Sequence, residues 1–311
     1  MMGFLLGMVL CLLIPFLGGG QVLIAIRTAN DHSPFYIADK LRLYEKEGIE
    51  ARVLLIPSNT EIVEGLKRKQ FQLGAFPITT AIAAIAHRVP IKIVAMTGRG
   101  SDGILVRRDS GMKGLKDLVG KRIATIRASI LDVLLLYALE EEGIDPKRDL
   151  RIFYFMKLGD MISALKTGQL DATSNTEPFM TEAELSGWGK ILCYYTAFWK
   201  AHPCCVVVAH KEFIERSPHT LQKILKVHVE AVRYANDHPE ETAHIICEYM
   251  KGFDPGVVLE SLGSQKMSIS YEVYPDEVMR MAQLMKRYGL IEEIPPQGEL
   301  LELGFLKEVT R

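Results

Sequence analysis

The sequence predicts an α/β fold made of two similar units, and three observations carry the prediction. Strand-like runs alternate with amphipathic helical runs from Gln21 onward. The stretch "ALKTGQLDATSNTEPF", beginning at Ala164, echoes "GLKRKQFQLGAFPITT", beginning at Gly65, so a helix end, a short strand and a proline-containing loop occur twice. The length, 311 residues, exceeds the usual size of one domain and allows each unit its own core.

"QVLIAIRTA" (21–29) reads as a strand, and residues 30–48 as a helix with Ser33 as N-cap, Pro34 at the first helical position and Gly48 as its stop. "IEARVLLIP" (49–57) is a second strand, Ser58 to Thr60 cap a helix over 61–70, and "FQLGAF" (71–76) is a third strand. A helix over 79–89 and a strand over 91–97 complete a β-α-β-α-β unit, which implies a largely parallel sheet. The glycine- and charge-rich residues 98–103 read as a loop.

In the second unit "KRIATI" (121–126) is a strand leading to a helix over 127–143, where Ser129 is placed as the cap and Asp132 stands three residues on, as in a capping box. Strand, helix and strand recur over 150–155, 159–168 and 170–174. One more strand, "CCVVVAH" (204–210), precedes a mostly helical remainder whose tail, 294–309, resembles an edge helix. Periodicity leaves open whether those helices pack on the second unit or return to the first.

With 37 basic and 38 acidic residues and a formal net charge of -1, the chain carries no electrostatic footprint for nucleic acid and no polybasic membrane patch. "MMGFLLGMVLCLLIPFLGGG" has no charged side chain, and its apolar run ends at Pro15. A bilayer span needs about 20 apolar residues, so the run reads as a signal-peptide core with Gln21 as the first mature residue. No Lys or Arg precedes it, which leaves an uncleaved anchor as the alternative; either places the remainder outside the cytoplasm. Beyond it lie Cys193, Cys204, Cys205 and Cys247, without a CxxC pair or a matching histidine spacing, so no metal site and no cofactor are expected. Strand alternation sends Cys204 and Cys205 to opposite faces as buried thiols, with a Cys193–Cys204 disulfide as the alternative.

"HSPFYIADKLRLYEKEGIEARV", "GKRIATIRAS" and "GQLDATSNTEP" together resemble the solute-binding proteins of ABC importers that carry sulfonates, nitrate or thiamine-pyrimidine precursors. Gly168, Asp171, Glu177 and Pro178 stand where that family has its G-x-x-D and E-P residues. In the first copy Lys69 replaces the glycine and Gln72 the aspartate, which makes the turn there less typical; the family's Gly-Ser/Thr pair is Ala128 and Ser129 here. The resemblance implies a type II periplasmic-binding-protein fold, two α/β lobes with two hinge crossings and a cleft between them. It implies a lobe 1 of residues 21–103 and 200–311 and a lobe 2 of 104–199, with 1–20 as signal peptide or anchor. The implied crossings lie near Arg99 to Val106 and near Thr196 to Val206.

Loops that follow parallel strands gather at one sheet edge, which selects the candidates for contact with a small solute. In lobe 1 these are Asn30, His32 and Ser33 before the first helix, with Phe35 read as core or stacking partner, Ser58 and Asn59 as caps or contacts, and Phe76, Thr79 and Thr80 in the first copy of the repeat. Arg99 is a hinge arginine or a bidentate clamp on a carboxylate or sulfonate. In lobe 2, Ser129 stands at a helix start, Asn175 and Glu177 in the repeated loop, and Trp199, at the second crossing, is a stacking or core residue. No Ser-His-Asp order, phosphate loop or zinc spacing is visible, so an extracytoplasmic binding protein working with permease and ATPase subunits, as a monomer and without nucleic acid, is expected rather than an enzyme. The alternatives are a thiamine-pyrimidine biosynthetic enzyme on the same fold and a membrane-tethered ligand sensor.

Overall fold

The computed structural model describes residues 20–263 and 266–311, and the apolar N-terminal run lies outside them. The first part of the chain forms β1 (Val22–Ile26), α1 (Ser33–Lys40), α2 (Leu43–Lys46), β2 (Ala51–Leu55), α3 (Asn59–Lys67), β3 (Leu73–Pro77), α4 (Ile78–Ala86) and β4 (Ile91–Gly100). The middle forms β5 (Asp102–Arg107), β6 (Arg122–Thr125), α5 (Ile130–Glu141), β7 (Arg151–Tyr154), α6 (Leu158–Lys166), β8 (Ala172–Thr176), α7 (Phe179–Leu185) and β9 (Gly189–Tyr194). The last part forms β10 (Pro203–His210), α8 (Lys211–Arg216), α9 (Pro218–Asp237), α10 (Pro239–Tyr249), α11 (Pro255–Ser261), β11 (Met267–Ile269), α12 (Pro275–Arg287), α13 (Gln297–Leu300) and α14 (Gly304–Val309).

Among the described residues these strands make two sheets, ordered β11-β4-β10-β3-β1-β2 and β7-β6-β8-β5-β9. Each holds a parallel trio, β2-β1-β3 or β7-β6-β8, and beside its third strand runs an antiparallel strand, β10 or β5. The chain therefore passes to the second sheet after β4 and returns before β10, and the late helices pack on the first sheet, α9 against α1 and α14. The inner strands β1 and β3 are apolar on both faces because helices cover both. One apolar cluster includes Ile62 and Ile82 of the first part, Leu134 and Trp199 of the middle and Met281 of α12, so core packing continues across the two sheets.

Residues 98–103 are strand and not loop. β4 runs to Gly100 and β5 starts at Asp102, with Ser101 between them at φ 77. Gly100 pairs with Met267 and Arg99 with Pro203, so neighbouring strands on both sides satisfy a backbone that local composition would leave irregular. The tail is two short helices, α13 and α14, where one edge helix was expected.

The repeat seen in the sequence is a repeat of hydrogen bonds. Lys69 takes the left-handed conformation (φ 61) that Gly168 takes in the second copy (φ 76), and each N–H closes its helix on the residue three back, Leu66 or Leu165, at 3.0 Å. The Gln72 Oε1 atom accepts the Leu23 N–H of β1 at 2.6 Å, just as Asp171 Oδ2 accepts the Arg122 N–H of β6 at 2.8 Å. The turn in the first copy is thus the same turn, built from different side chains. Among the described residues no helix is long and apolar enough to cross a membrane.

Candidate ligand-binding site

In both parallel trios the second strand lies on one side of the first and the third on the other. Loops leaving such neighbours turn to opposite faces and open a crevice at the carboxyl ends of the strands. The segments there are Asn30–Ser33 after β1, the start of α4 after β3, the turn from Thr125 to Asp132 after β6, and Glu177–Pro178, joined by a cis peptide, after β8.

These segments concentrate buried polar atoms without a protein partner: Asn30 Oδ1, Asp31 Oδ2, His32 Nε2, Ser33 Oγ, Thr79 Oγ1, Thr125 Oγ1 and Asp132 Oδ1. Thr97 Oγ1 on β4 and His202 Nδ1 before β10 share that state. Buried polar atoms are nearly always hydrogen-bonded, so such a concentration marks where a polar occupant would be answered.

The predicted residues fall into two groups. Asn30 is fixed through its Nδ2, which donates to Ser261 Oγ at 2.9 Å, leaving Oδ1 unanswered. The His32 ring is fully buried; its Nδ1 donates to the Arg27 carbonyl, and burial holds its pKa below the usual histidine value, so the ring is neutral with a bare Nε2. Ser33 is the first helical residue and caps nothing; His32 occupies the cap position, also without a side-chain cap bond. Thr79 is buried with an unanswered hydroxyl, and Thr80 beside it is partly exposed. Ser58 caps α3 through the Glu61 N–H at 3.5 Å, and Asn59 Oδ1 has no partner.

The second group is committed within the protein. Phe35 packs in the core against the His228 ring at 5.3 Å, and Phe76 is wholly buried in the other core cluster. The Arg99 guanidinium is already bound: Nη1 donates to Glu277 Oε2 (2.7 Å) and the Ala201 carbonyl (2.9 Å), Nη2 to the Glu272 carbonyl (2.9 Å), and Tyr274 lies against it. The guanidinium thus ties β4, the second crossing and α12, as the hinge alternative expects, and its buried Nε has no protein partner. The capping box at α5 does not form: Ser129 Oγ donates back to the Ile126 carbonyl at 2.6 Å, and Asp132 Oδ2 accepts the N–H of Ala128, which is left-handed at φ 59. Asn175 bonds to Thr173 and to the Thr176 N–H. Glu177 accepts from the Thr181 N–H (3.0 Å) and the Tyr194 hydroxyl, and burial raises its pKa. Trp199 is core, with the Arg280 guanidinium 4.3 Å above its ring.

Residues 20–251 match the profile of the NMT1-like family. The chain belongs to the NMT1-like family. It is similar to the putative aliphatic sulfonates-binding protein of Bacillus subtilis (27% identity over 242 residues, 77% of this chain and 71% of the relative). It is also similar to the 4-amino-5-hydroxymethyl-2-methylpyrimidine phosphate synthase of Legionella pneumophila (24% identity, 70% and 69%). The nitrate import ATP-binding protein NrtC of Synechocystis is 24% identical over 67% of this chain, which spans 34% of that protein's length. Among solved structures, the periplasmic aliphatic sulphonate binding protein SsuA of Escherichia coli superposes with a TM-score of 0.79 (20% identity, 91% of this chain and 92% of that one). The periplasmic nitrate-binding protein NrtA of Synechocystis gives 0.80 (14% identity, 93% and 88%). The fold is thus that of the type II periplasmic binding proteins, as the sequence motifs imply.

In this NMT1-like chain the sequence reading passed over Asp31, Thr97, Asp102, Thr125, His202 and Cys205. Asp102 and His202 face each other across the two crossings at 3.2 Å, and burial pushes the Asp102 carboxyl up against the pull of His202. A β-bulge at Cys205 breaks the expected alternation of the two cysteines, so their sulfurs lie 3.8 Å apart rather than on opposite faces. Cys193, Cys204, Cys205 and Cys247 are all free thiols, and Cys193 and Cys247 are only partly buried. Contacts also join elements of the two sheets. From α12, Arg280 bonds Tyr137 of α5 at 2.7 Å and Arg287 pairs with Glu140 at 3.1 Å; Phe179 of α7 meets Phe253 edge-on at 5.1 Å.

Proposed function

We propose that the protein is the extracytoplasmic substrate-binding component of an ABC importer, with permease and ATPase subunits as partners. In this reading residues 21–103 with 200–311 form one lobe and 104–199 the other, and the lobes close on a small polar organic solute. The observation that carries it is the set of unanswered buried polar atoms at the carboxyl ends of both parallel trios. Kinship with the sulfonate-binding relative and the fold of SsuA and NrtA support it. The atoms waiting include four acceptors, Asn30 Oδ1, Asp31 Oδ2, His32 Nε2 and Asp132 Oδ1, beside hydroxyls that serve either role, while Arg99 is held by Glu277 with only its Nε unpartnered. That set favours a solute with N–H donors, an amine or a pyrimidine-type ring, over a bare sulfonate or nitrate. Similarity to the pyrimidine phosphate synthase keeps a biosynthetic enzyme as a second reading.

The test is mass spectrometry of ligand released from purified protein, followed by thermal shift with amines, pyrimidines and sulfonates; a solute at 100 times its Kd adds about 2.7 kcal/mol of stability. Thr79→Val and Thr125→Val remove hydroxyls with no protein partner, so they should leave apo stability nearly unchanged yet weaken the solute by about 0.5–1.5 kcal/mol. Unchanged affinity in both variants would refute the site, and chemical conversion of the solute by the protein would favour the enzyme.

A further inference from the structure

Three potential ligand atoms from Asp31, His32 and Cys205 lie within 4.8 Å of one another, and all three residues are buried. They come from distant parts of the chain. Asp31 and His32 follow β1, and Cys205 sits on β10 opposite Gly98 of β4. The group includes two buried atoms without a partner, Asp31 Oδ2 on a residue only 5% exposed and His32 Nε2 on one 1% exposed, while the Asp31 carboxyl also bonds the Cys205 thiol. The His32 tautomer is already the one a metal requires, because Nδ1–H donates to the Arg27 carbonyl and leaves the Nε2 lone pair bare. The backbone also makes room for the cluster. A Cβ on Gly98 would lie 2.3 Å from the Asp31 Cβ, so only glycine lets the Asp31 turn settle against β4.

We infer that Asp31, His32 and Cys205 form a binding site for a zinc-class divalent ion, with one carboxylate oxygen, one imidazole nitrogen and one thiolate sulfur as ligands. The donor set is the mixed O, N, S kind that suits zinc rather than magnesium or calcium. Metal–ligand bonds of about 2.0–2.3 Å around a tetrahedral ion place donors roughly 3.5 Å apart, so a closure of about 1 Å by side-chain rotation completes the set. A thiol ligates as thiolate, so binding balances as follows: the S–H bond breaks, the S–metal bond forms, and one proton leaves to solvent per ion bound. Three protein ligands leave a fourth position for water or another donor. The sequence expectation of no metal site rested on local spacing, which ligands at 31, 32 and 205 do not have.

The ion would occupy Asp31 and His32, two of the acceptors that the solute reading invokes, and the two readings are told apart because metal and solute are assayed separately on the same full chain. Metal-free protein titrated with Co2+ should bind one equivalent and develop a thiolate-to-cobalt charge-transfer band, with Zn2+ displacing the cobalt. Cys205→Ser should abolish the band and Cys247→Ser should keep it. His32→Gln, which retains a donor for the Arg27 carbonyl, should weaken the metal at least about tenfold. Far-UV circular dichroism of the apo variants separates a lost ligand from a lost fold. Less than one equivalent bound by the wild type, or a band that survives Cys205→Ser, overturns the site whatever the solute assay returns.

Discussion

His228 on α9 is buried beneath the Asn30–Ser33 turn, its ring 5.3 Å from that of Phe35, and its Nε2–H donates to the Met96 carbonyl at 2.7 Å while Nδ1 has no partner. Burial lowers its pKa from 6.5 to about 4. The sign follows from proton binding. Between those values the unfolded chain holds a proton that the folded chain refuses, so stability is full above pH 6.5 and falls as the pH drops toward 4. A gap of that size corresponds to roughly 3 kcal/mol once the pH reaches 4, and to about 2 kcal/mol between pH 7 and 5. The perturbation is His228→Gln, which keeps an N–H donor for Met96 and cannot take up a proton. Urea unfolding followed by circular dichroism at pH 7, 6 and 5 should show the wild type losing about 2 kcal/mol relative to the variant. A difference that stays flat within about 0.5 kcal/mol would show that the ring is protonated in the folded protein or reached by water, and would refute the burial argument.

Three further outcomes are expected. Ala128 occupies the left-handed region at φ 59, so Ala128→Gly should raise stability by up to about 1 kcal/mol, read as an increase in Tm; a clear fall would mean that Ala128 is not strained. Asp171→Ala should cost more than Gln72→Ala, about 2 against 1 kcal/mol in chemical unfolding, because Asp171 also pairs with Arg122 while Gln72 answers only the Leu23 N–H; the reverse ranking would break the proposed equivalence of the two turns. Burial raises the Glu177 pKa, so the folded protein holds this proton more tightly than the unfolded chain and wild-type stability falls as the pH rises above 4.5. Glu177→Gln should lack that fall, and parallel pH profiles for the two proteins would refute it.

The fold was legible where local chemistry fixes it. Alternating strand and helix periods gave both parallel trios, and the echo between Gly65 and Ala164 marked two units of like plan. What the sequence misjudged was interchangeable chemistry. Lys69 in place of glycine makes the turn less typical in sequence, yet a lysine adopts φ 61 there because the turn's bonds to Leu66 and Gly65 outweigh a cost of about 1 kcal/mol. Gln72 was read as a departure from aspartate, yet its amide oxygen reaches the same N–H. The side of the fold on which the late helices pack lay beyond periodicity altogether, because α9 and α12 show an apolar stripe without showing which sheet it faces.

The site was legible only in part, for a reason that Arg99 and Gly98 make plain. A loop at residues 98–103 leaves Arg99 open as a hinge arginine or a clamp, because nothing nearby in the sequence competes for its charge. The competitor is Glu277, 178 positions later, on a helix that tertiary packing brings to β4. The same error hid Asp31. A glycine in a presumed loop suggests only a turn, whereas Gly98 lies within a strand and leaves the space that the Asp31 side chain fills. Once β1, β3, β10 and β4 line up in one sheet, Asp31, His32 and Cys205 meet, although no window of the sequence contains all three. Motif spacing detects sites made by one local segment. Here the parallel trio supplies the loops, the returning strand β10 supplies the sulfur, and the chemistry belongs to the topology that joins them.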